Sequence, residues 1–204
     1  MKKYVIGITG GIGCGKSTVL STLQTQYNAL IIEADKVAHN LMKPGGTSYS
    51  AIVSEFGSQI LDKTGCIDRK LLGNIVFNHK EMLEHLNSIT HPLVKTAISD
   101  MIENCNSEII AVEAALFIEA GYMDICQELW YIYTDREKRI SRLIKSRGLD
   151  RDKIEKIMSN QLSDEDFRKY ADVIIDNNKS TDDTIKQINY YLKKTKGNEE
   201  KDGR

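Results

Sequence analysis

Residues 7–18 read GITGGIGCGKST, five glycines with one lysine and a Ser-Thr pair, placed directly behind the apolar Tyr4-Val5-Ile6. Gly10, four residues, then Gly15-Lys16-Ser17 fits the phosphate-loop pattern without a mismatch. Glycine lets backbone N–H groups converge on phosphate oxygens with no Cβ in the way. A helix that starts behind the loop adds its N-terminal dipole. The residues in position to touch a nucleotide phosphate are Gly11, Ile12, Gly13, Cys14, Gly15, Lys16, Ser17 and Thr18. Lys16 can reach the β- and γ-phosphates as a point charge, and the Ser17 hydroxyl can sit on magnesium. A dinucleotide fingerprint would need a third glycine where Lys16 stands. Cys14 is either a thiol with a pKa lowered by the helix terminus or a small residue facing the loop interior.

A nucleoside triphosphate can drive switching, motion or phosphoryl transfer. A guanine-specific switch carries Asn-Lys-x-Asp, and in Asn178-Lys179-Ser180-Thr181-Asp182 the aspartate comes one place late. A motor ATPase ends an apolar strand in Asp-Glu, whereas Ile109-Ile110-Ala111-Val112 is followed by Glu113 alone. Glu113 occupies the place of a carboxylate that holds a magnesium-bound water, or it caps the strand end. A small kinase needs a second region for its acceptor and often a lid rich in arginine. Residues 36–104 supply the first, and Arg136, Arg139, Arg142 and Arg147 lie on one segment. Arg142 and Arg147 are the candidates to clamp a transferring phosphate, with Arg139 read as solvated.

These groups need a frame. Residues 4–8, 29–35, 109–112, 128–135 and 171–177 read as strands, and 16–23, 136–147 and 181–193 as helices. The stretch from 36 to about 104 reads as mostly helical, broken at Pro44-Gly45-Gly46, Gly57, Gly65 and His91-Pro92. A proline pushes the residue before it out of helical geometry, so a break is expected at His91. Strands separated by helices predict an α/β fold, a parallel sheet flanked by helices. Asp35 then ends the second strand, where open α/β sheets place their sites. It can accept the proton of an acceptor hydroxyl, or cap a helix starting at Lys36. Trp130, Tyr190 and Tyr191 read as packing residues.

The chain has 204 residues, 41% hydrophobic and 28% charged, with a net charge of -1. That suits one domain over 1–195 and gives no basic excess for nucleic acid. Residues 196–204, GNEEKDGR preceded by lysine, are expected to be a disordered tail. Four scattered cysteines, Cys14, Cys66, Cys105 and Cys126, suggest neither zinc nor disulfides and fit a reducing cytoplasm. No signal peptide or membrane span is expected. Oligomeric state stays open.

With these residues assembled, the chain resembles the dephospho-CoA kinase family almost end to end. The resemblance rests on the phosphate loop together with Glu33–His39 (EADKVAH), Gly65–Phe77 (GCIDRKLLGNIVF), His91–Val94 (HPLV), Glu113–Gly121 (EAALFIEAG) and ADVIIDNN at 171–178. It implies a P-loop kinase core (1–35, 105–135 and 170–195), a helical acceptor-binding insertion (36–104) and a lid (136–169). It implies ATP- and magnesium-dependent phosphorylation of the ribose 3′-hydroxyl of dephospho-CoA, the last step of CoA synthesis. It places the catalytic base at Asp35, acceptor contacts at Arg69 and His91, and Asn177 near the adenine. Arg69 can instead pair with Asp68, His91 can be structural, and Asn177 can be a turn residue. Two motifs depart from the family pattern. Glu33-Ala34-Asp35 replaces Asp-Ala-Asp, and Ala115-Leu116-Phe117-Ile118-Glu119 replaces Pro-Leu-Leu-x-Glu.

Overall fold

The computed structural model describes residues 3–76 and 79–202, with side chains as far as Lys194. The tail expected to be disordered at 196–204 instead continues the last helix as far as Asp202, and residues 203–204 lie outside the described residues. Five strands form one sheet in the order β2-β3-β1-β4-β5, with β1 Tyr4–Thr9, β2 Leu30–Glu33, β3 Ile109–Glu113, β4 Glu128–Tyr133 and β5 Val173–Asp176. The pairs β1–β3, β1–β4 and β4–β5 are parallel. Central parallel strands are covered on both faces, which is why β1 and β3 are continuous apolar runs rather than alternating ones.

The chain divides into two compact units. The first comprises Met1–Ile31, Ser107–Ile118 and Met123–Arg204. Its core joins Ile6, Ile8, Trp130, Ile132 and Ile175 of the sheet to Val19 and Leu23 of α1 (Lys16–Tyr27) and Ile188 and Leu192 of α9 (Thr181–Asp202). A smaller cluster joins Ile140 and Leu143 of α6 (Arg136–Arg147) to Ile154 of α7 (Arg151–Ser159), with Ile12 packed against it. The short α8 (Asp164–Tyr170) lies against β4.

The second unit comprises Ile32–Asn106 and Glu119–Tyr122. It holds α2 (Ala34–Leu41), α3 (Thr47–Phe56), α4 (Arg69–Val76) and α5 (Lys80–Asn104). Ile52, Phe56, Ile60, Leu72 and Val76 form its core, with Leu83, Leu86 and Ile89 of α5 packed on it.

Two local expectations need correction. The second strand stops at Glu33, so Asp35 lies in the first turn of α2 rather than at a strand end. A carboxylate there is favoured by the helix dipole, and Glu33 rather than Asp35 takes the N-cap position. His91 does not break its helix either: α5 runs through Pro92 without ending. Packing of α5 against α2, α3 and α4 outweighs the missing N–H. Among the packing aromatics, Trp130 is fully buried and Tyr191 packs on the core, but Tyr190 is 62% exposed.

Candidate active site

Strand β1 delivers the chain into the loop at Gly10, and α1 carries it away from Lys16. Gly10, Gly13 and Gly15 have φ of 145°, 79° and 92°, a region that L side chains rarely enter. Among the described residues no side chain caps the N-terminus of α1. The later helices α7 and α8 differ, since Asp150 accepts from Lys153 N and Ser163 from Asp166 N. An uncapped helix start behind a glycine loop offers its first N–H groups to an anion, although that of Thr18 already donates to Gly15 O.

Lys16 lies along the loop. Its Nζ donates to Gly10 O at 2.8 Å and stands 3.4 Å from Glu113 Oε1. Glu113 ends β3 opposite Ile8, level with the end of β1. The Glu113 carboxylate thus stands beside the loop lysine at the end of its strand. Ser17 is the second residue of α1 and Thr18 the third. A hydroxyl and a carboxylate are the hard oxygen donors magnesium takes when most of its shell is water and phosphate. The described residues contain no group of three or more His, Cys, Asp or Glu that could hold a metal ion.

Four later segments reach back to the loop backbone. Asn177, just past β5 and 5% exposed, donates from Nδ2 to Cys14 O at 2.8 Å. Thr134 Oγ1 donates to the same carbonyl at 2.8 Å. Arg142 of α6 donates to Thr134 Oγ1, to Asn177 O and, at 3.5 Å, to Cys14 O. Arg139, expected to be solvated, is instead only 7% exposed and donates from Nε to Ile12 O at 2.9 Å. Its charge is answered by Asp164, which also accepts from the buried Tyr131 hydroxyl. Gln161, beyond α7, accepts from Ile12 N at 2.9 Å. Arg139, Thr134 and Gln161 were missed by sequence reasoning. Arg139 had a signal, because it precedes Ile140 and sits four residues before Leu143, on the buried face of α6. Arg147 is exposed on the last turn of that helix.

Cys14 is buried, and burial pushes its thiol pKa up, against the opposing pull of the Lys16 charge. The lowered thiol pKa considered from the helix terminus does not occur, since desolvation dominates.

The other proposed residues belong to the second unit. Asp35 is exposed on the first turn of α2. Its charge reaches Tyr122, a buried phenol raised to about 12 mainly by desolvation and then by Asp35. The same ring meets His91 edge-on, with centroids 6.4 Å apart. Burial lowers the His91 pKa, and Glu119 partly opposes it. Tyr122 thus connects Asp35 and His91, a role that its sequence context did not announce. Arg69 opens α4 and is exposed. The carboxylate of Asp68 is occupied in capping that helix, accepting from Lys70 N at 2.8 Å and Leu71 N at 3.3 Å.

The dephospho-CoA kinase family profile matches residues 4–183. The chain belongs to that family. A dephospho-CoA kinase of Carboxydothermus hydrogenoformans is 39% identical over 195 residues, covering 94% of each chain. One from Fusobacterium nucleatum is 37% identical over 191 residues, covering 94% of this chain and 98% of the relative. The solved dephospho-CoA kinase from Campylobacter jejuni superposes with a TM-score of 0.68 at 31% identity, covering 96% of this chain and 99% of that one. A shikimate kinase from Acinetobacter baumannii shares the fold, with a TM-score of 0.54 at 15% identity over 95% of each chain. Dephospho-CoA kinases of this length are matched along nearly all of their sequence, so the phosphate loop and the helical unit are compared together. Among the described residues no helix is long and apolar enough to cross a membrane.

Proposed function

We propose that this chain transfers the γ-phosphoryl group of ATP to the ribose 3′-hydroxyl of dephospho-CoA, giving CoA and ADP in the last step of CoA biosynthesis. The observation that carries the reading is a complete, braced phosphate loop in a chain matched to the dephospho-CoA kinase family over residues 4–183. In the reaction the 3′-oxygen forms a bond to the γ-phosphorus, the bond to the β,γ-bridging oxygen breaks, and the hydroxyl proton leaves.

The residues divide this work. Within residues 11–18 the N–H groups of Gly13 and Gly15 cradle the phosphates, those of Ile12, Cys14 and Thr18 being held by Gln161 and by the carbonyls of Gly11 and Gly15, and Lys16 neutralises charge on the β- and γ-phosphoryl groups. Ser17 and, through water, Glu113 would hold magnesium. When bound, that ion supplies further charge neutralisation at the phosphates. Arg142, fixed at the loop, adds positive charge there, and Arg147 is assigned a second clamp on the phosphates. Asp35 accepts the hydroxyl proton and orients the oxygen. Arg69 and His91 bind the acceptor within the 36–104 insertion, while 136–169 serves as the lid. Four free cysteines favour a reducing compartment, the cytoplasm. A net charge of -1 gives no general attraction to nucleic acid.

The test is product formation by the purified chain with ATP, magnesium and dephospho-CoA. CoA carrying a 3′-phosphate should appear by phosphorus NMR, and none should form without dephospho-CoA or with excess EDTA. A folded chain that binds ATP yet makes no CoA would overturn the reading.

A further inference from the structure

A phosphate cradle works only if successive N–H groups point inward. In a trans peptide the C=O and the following N–H point in opposite directions. Anchoring a carbonyl outward therefore turns the next N–H inward. The loop shows this at two alternate peptides. The Ile12 carbonyl is held by Arg139 Nε at 2.9 Å, which directs the N–H of Gly13 to the opposite side. The Cys14 carbonyl is held by Asn177 Nδ2 at 2.8 Å and Thr134 Oγ1 at 2.8 Å, which does the same for Gly15.

Both anchors are themselves fixed. Asn177 Oδ1 accepts from the fully buried Thr184 hydroxyl at 2.8 Å, so the amide is oriented with its nitrogen toward the loop. The Arg139 guanidinium is paired with Asp164. Each also lies where a side chain on the loop would go. A Cβ on Gly15 would come 2.0 Å from Asn177 Nδ2, and one on Gly11 would come 2.1 Å from Arg139 Nη2. Glycine at those two places is thus required by the anchors as well as by any phosphate. The Ile12 side chain packs on the lid cluster of Ile140, Leu143 and Ile154, which holds the peptide that Arg139 grips.

We infer that Asn177 and Arg139 are positioning residues that set the phosphate-binding N–H groups of Gly15 and Gly13 by anchoring the carbonyls of Cys14 and Ile12. This rests on the proposed ATP site, and it assigns Asn177 to the loop rather than to the adenine.

The experiment titrates inorganic tripolyphosphate, ATP and GTP into the full chain and into Asn177→Ala, with thermal melting as a control for folding. Asn177→Ala should weaken tripolyphosphate about tenfold, the effect of one lost anchoring hydrogen bond. ATP and GTP should weaken by the same factor, leaving their ratio unchanged. Arg139→Lys keeps the charge but loses the Nε–H, and should act in the same direction. Thr184→Val, which frees the Asn177 amide without altering it, should give a smaller loss and remains usable if Asn177→Ala fails to fold. Unchanged tripolyphosphate affinity with a collapsed ATP:GTP ratio would overturn the inference, because Asn177 would then read the base. Unchanged binding of all three ligands would overturn it too, as would losses that only track a fall in melting temperature. Wild type that binds tripolyphosphate but makes no CoA would refute the substrate assignment while leaving the anchors standing.

Discussion

The loop in one unit and the residues proposed for the acceptor in the other are built by different means. Around the loop, Arg139 and Arg142 from α6, Thr134 after β4 and Asn177 after β5 all donate to main-chain carbonyls or to each other. In the helical unit, Asp35 and Arg69 stand exposed at helix starts, and His91 is half-buried against Tyr122. The difference follows from what each presents. A cradle of backbone N–H groups must have its peptide planes fixed, which takes partners from distant parts of the sequence. A base or a basic contact presents a side-chain head, which a helix start can offer from its own surface.

The comparison can be broken first at the loop. Lys16→Met should lower kcat/KM about 10³-fold, the scale of losing a charge placed at the transferring phosphate. A loss below tenfold in steady-state kinetics would remove Lys16 from the chemistry. Gly15→Ala comes next. With φ at 92° and a Cβ 2.0 Å from Asn177 Nδ2, it should weaken ATP binding by about 10²-fold in calorimetry, from strain and displaced anchors together. Normal affinity would mean the loop is softer than its contacts suggest. Gln161→Ala removes the acceptor of Ile12 N–H and should raise the KM for ATP about fivefold with little change in kcat. An equal fall in kcat would place Gln161 in the chemical step.

The smallest effect is expected in the helical unit. Burial lowers the His91 pKa below the ordinary value of about 6.5, so the unfolded chain takes up that proton more readily. Its contribution to stability is full above about pH 6.5 and is lost as pH falls through the folded value. His91→Gln should therefore flatten the acid arm of a urea-midpoint profile between about pH 7.5 and 5. An identical slope in both proteins would show that His91 does not titrate there.

The loop was legible because its chemistry is local: glycines, a lysine and a hydroxyl at fixed spacing behind an apolar strand. Glu113 was legible as the polar residue that ends a buried strand. Arg139 was not, because its partners Ile12 and Asp164 are far away in sequence and only the fold unites them. His91 misled for a related reason. The local rule for a residue before proline is sound, but α5, packed against three helices, continues past Pro92. The Cys14 thiol shows the same competition, with the local helix terminus outweighed by burial. Asp35 was placed one element early, since a strand running directly into a helix leaves no turn residue to mark the border.

The most direct test of the account compares wild type with Asp35→Asn, following CoA formation at saturating ATP, magnesium and dephospho-CoA. The exposed carboxylate can be changed to an amide without touching the core. The account predicts a fall in kcat of about 10²- to 10⁴-fold with the KM for ATP within about twofold of wild type. CoA formation at an undiminished rate would contradict it and would place the proton acceptor elsewhere.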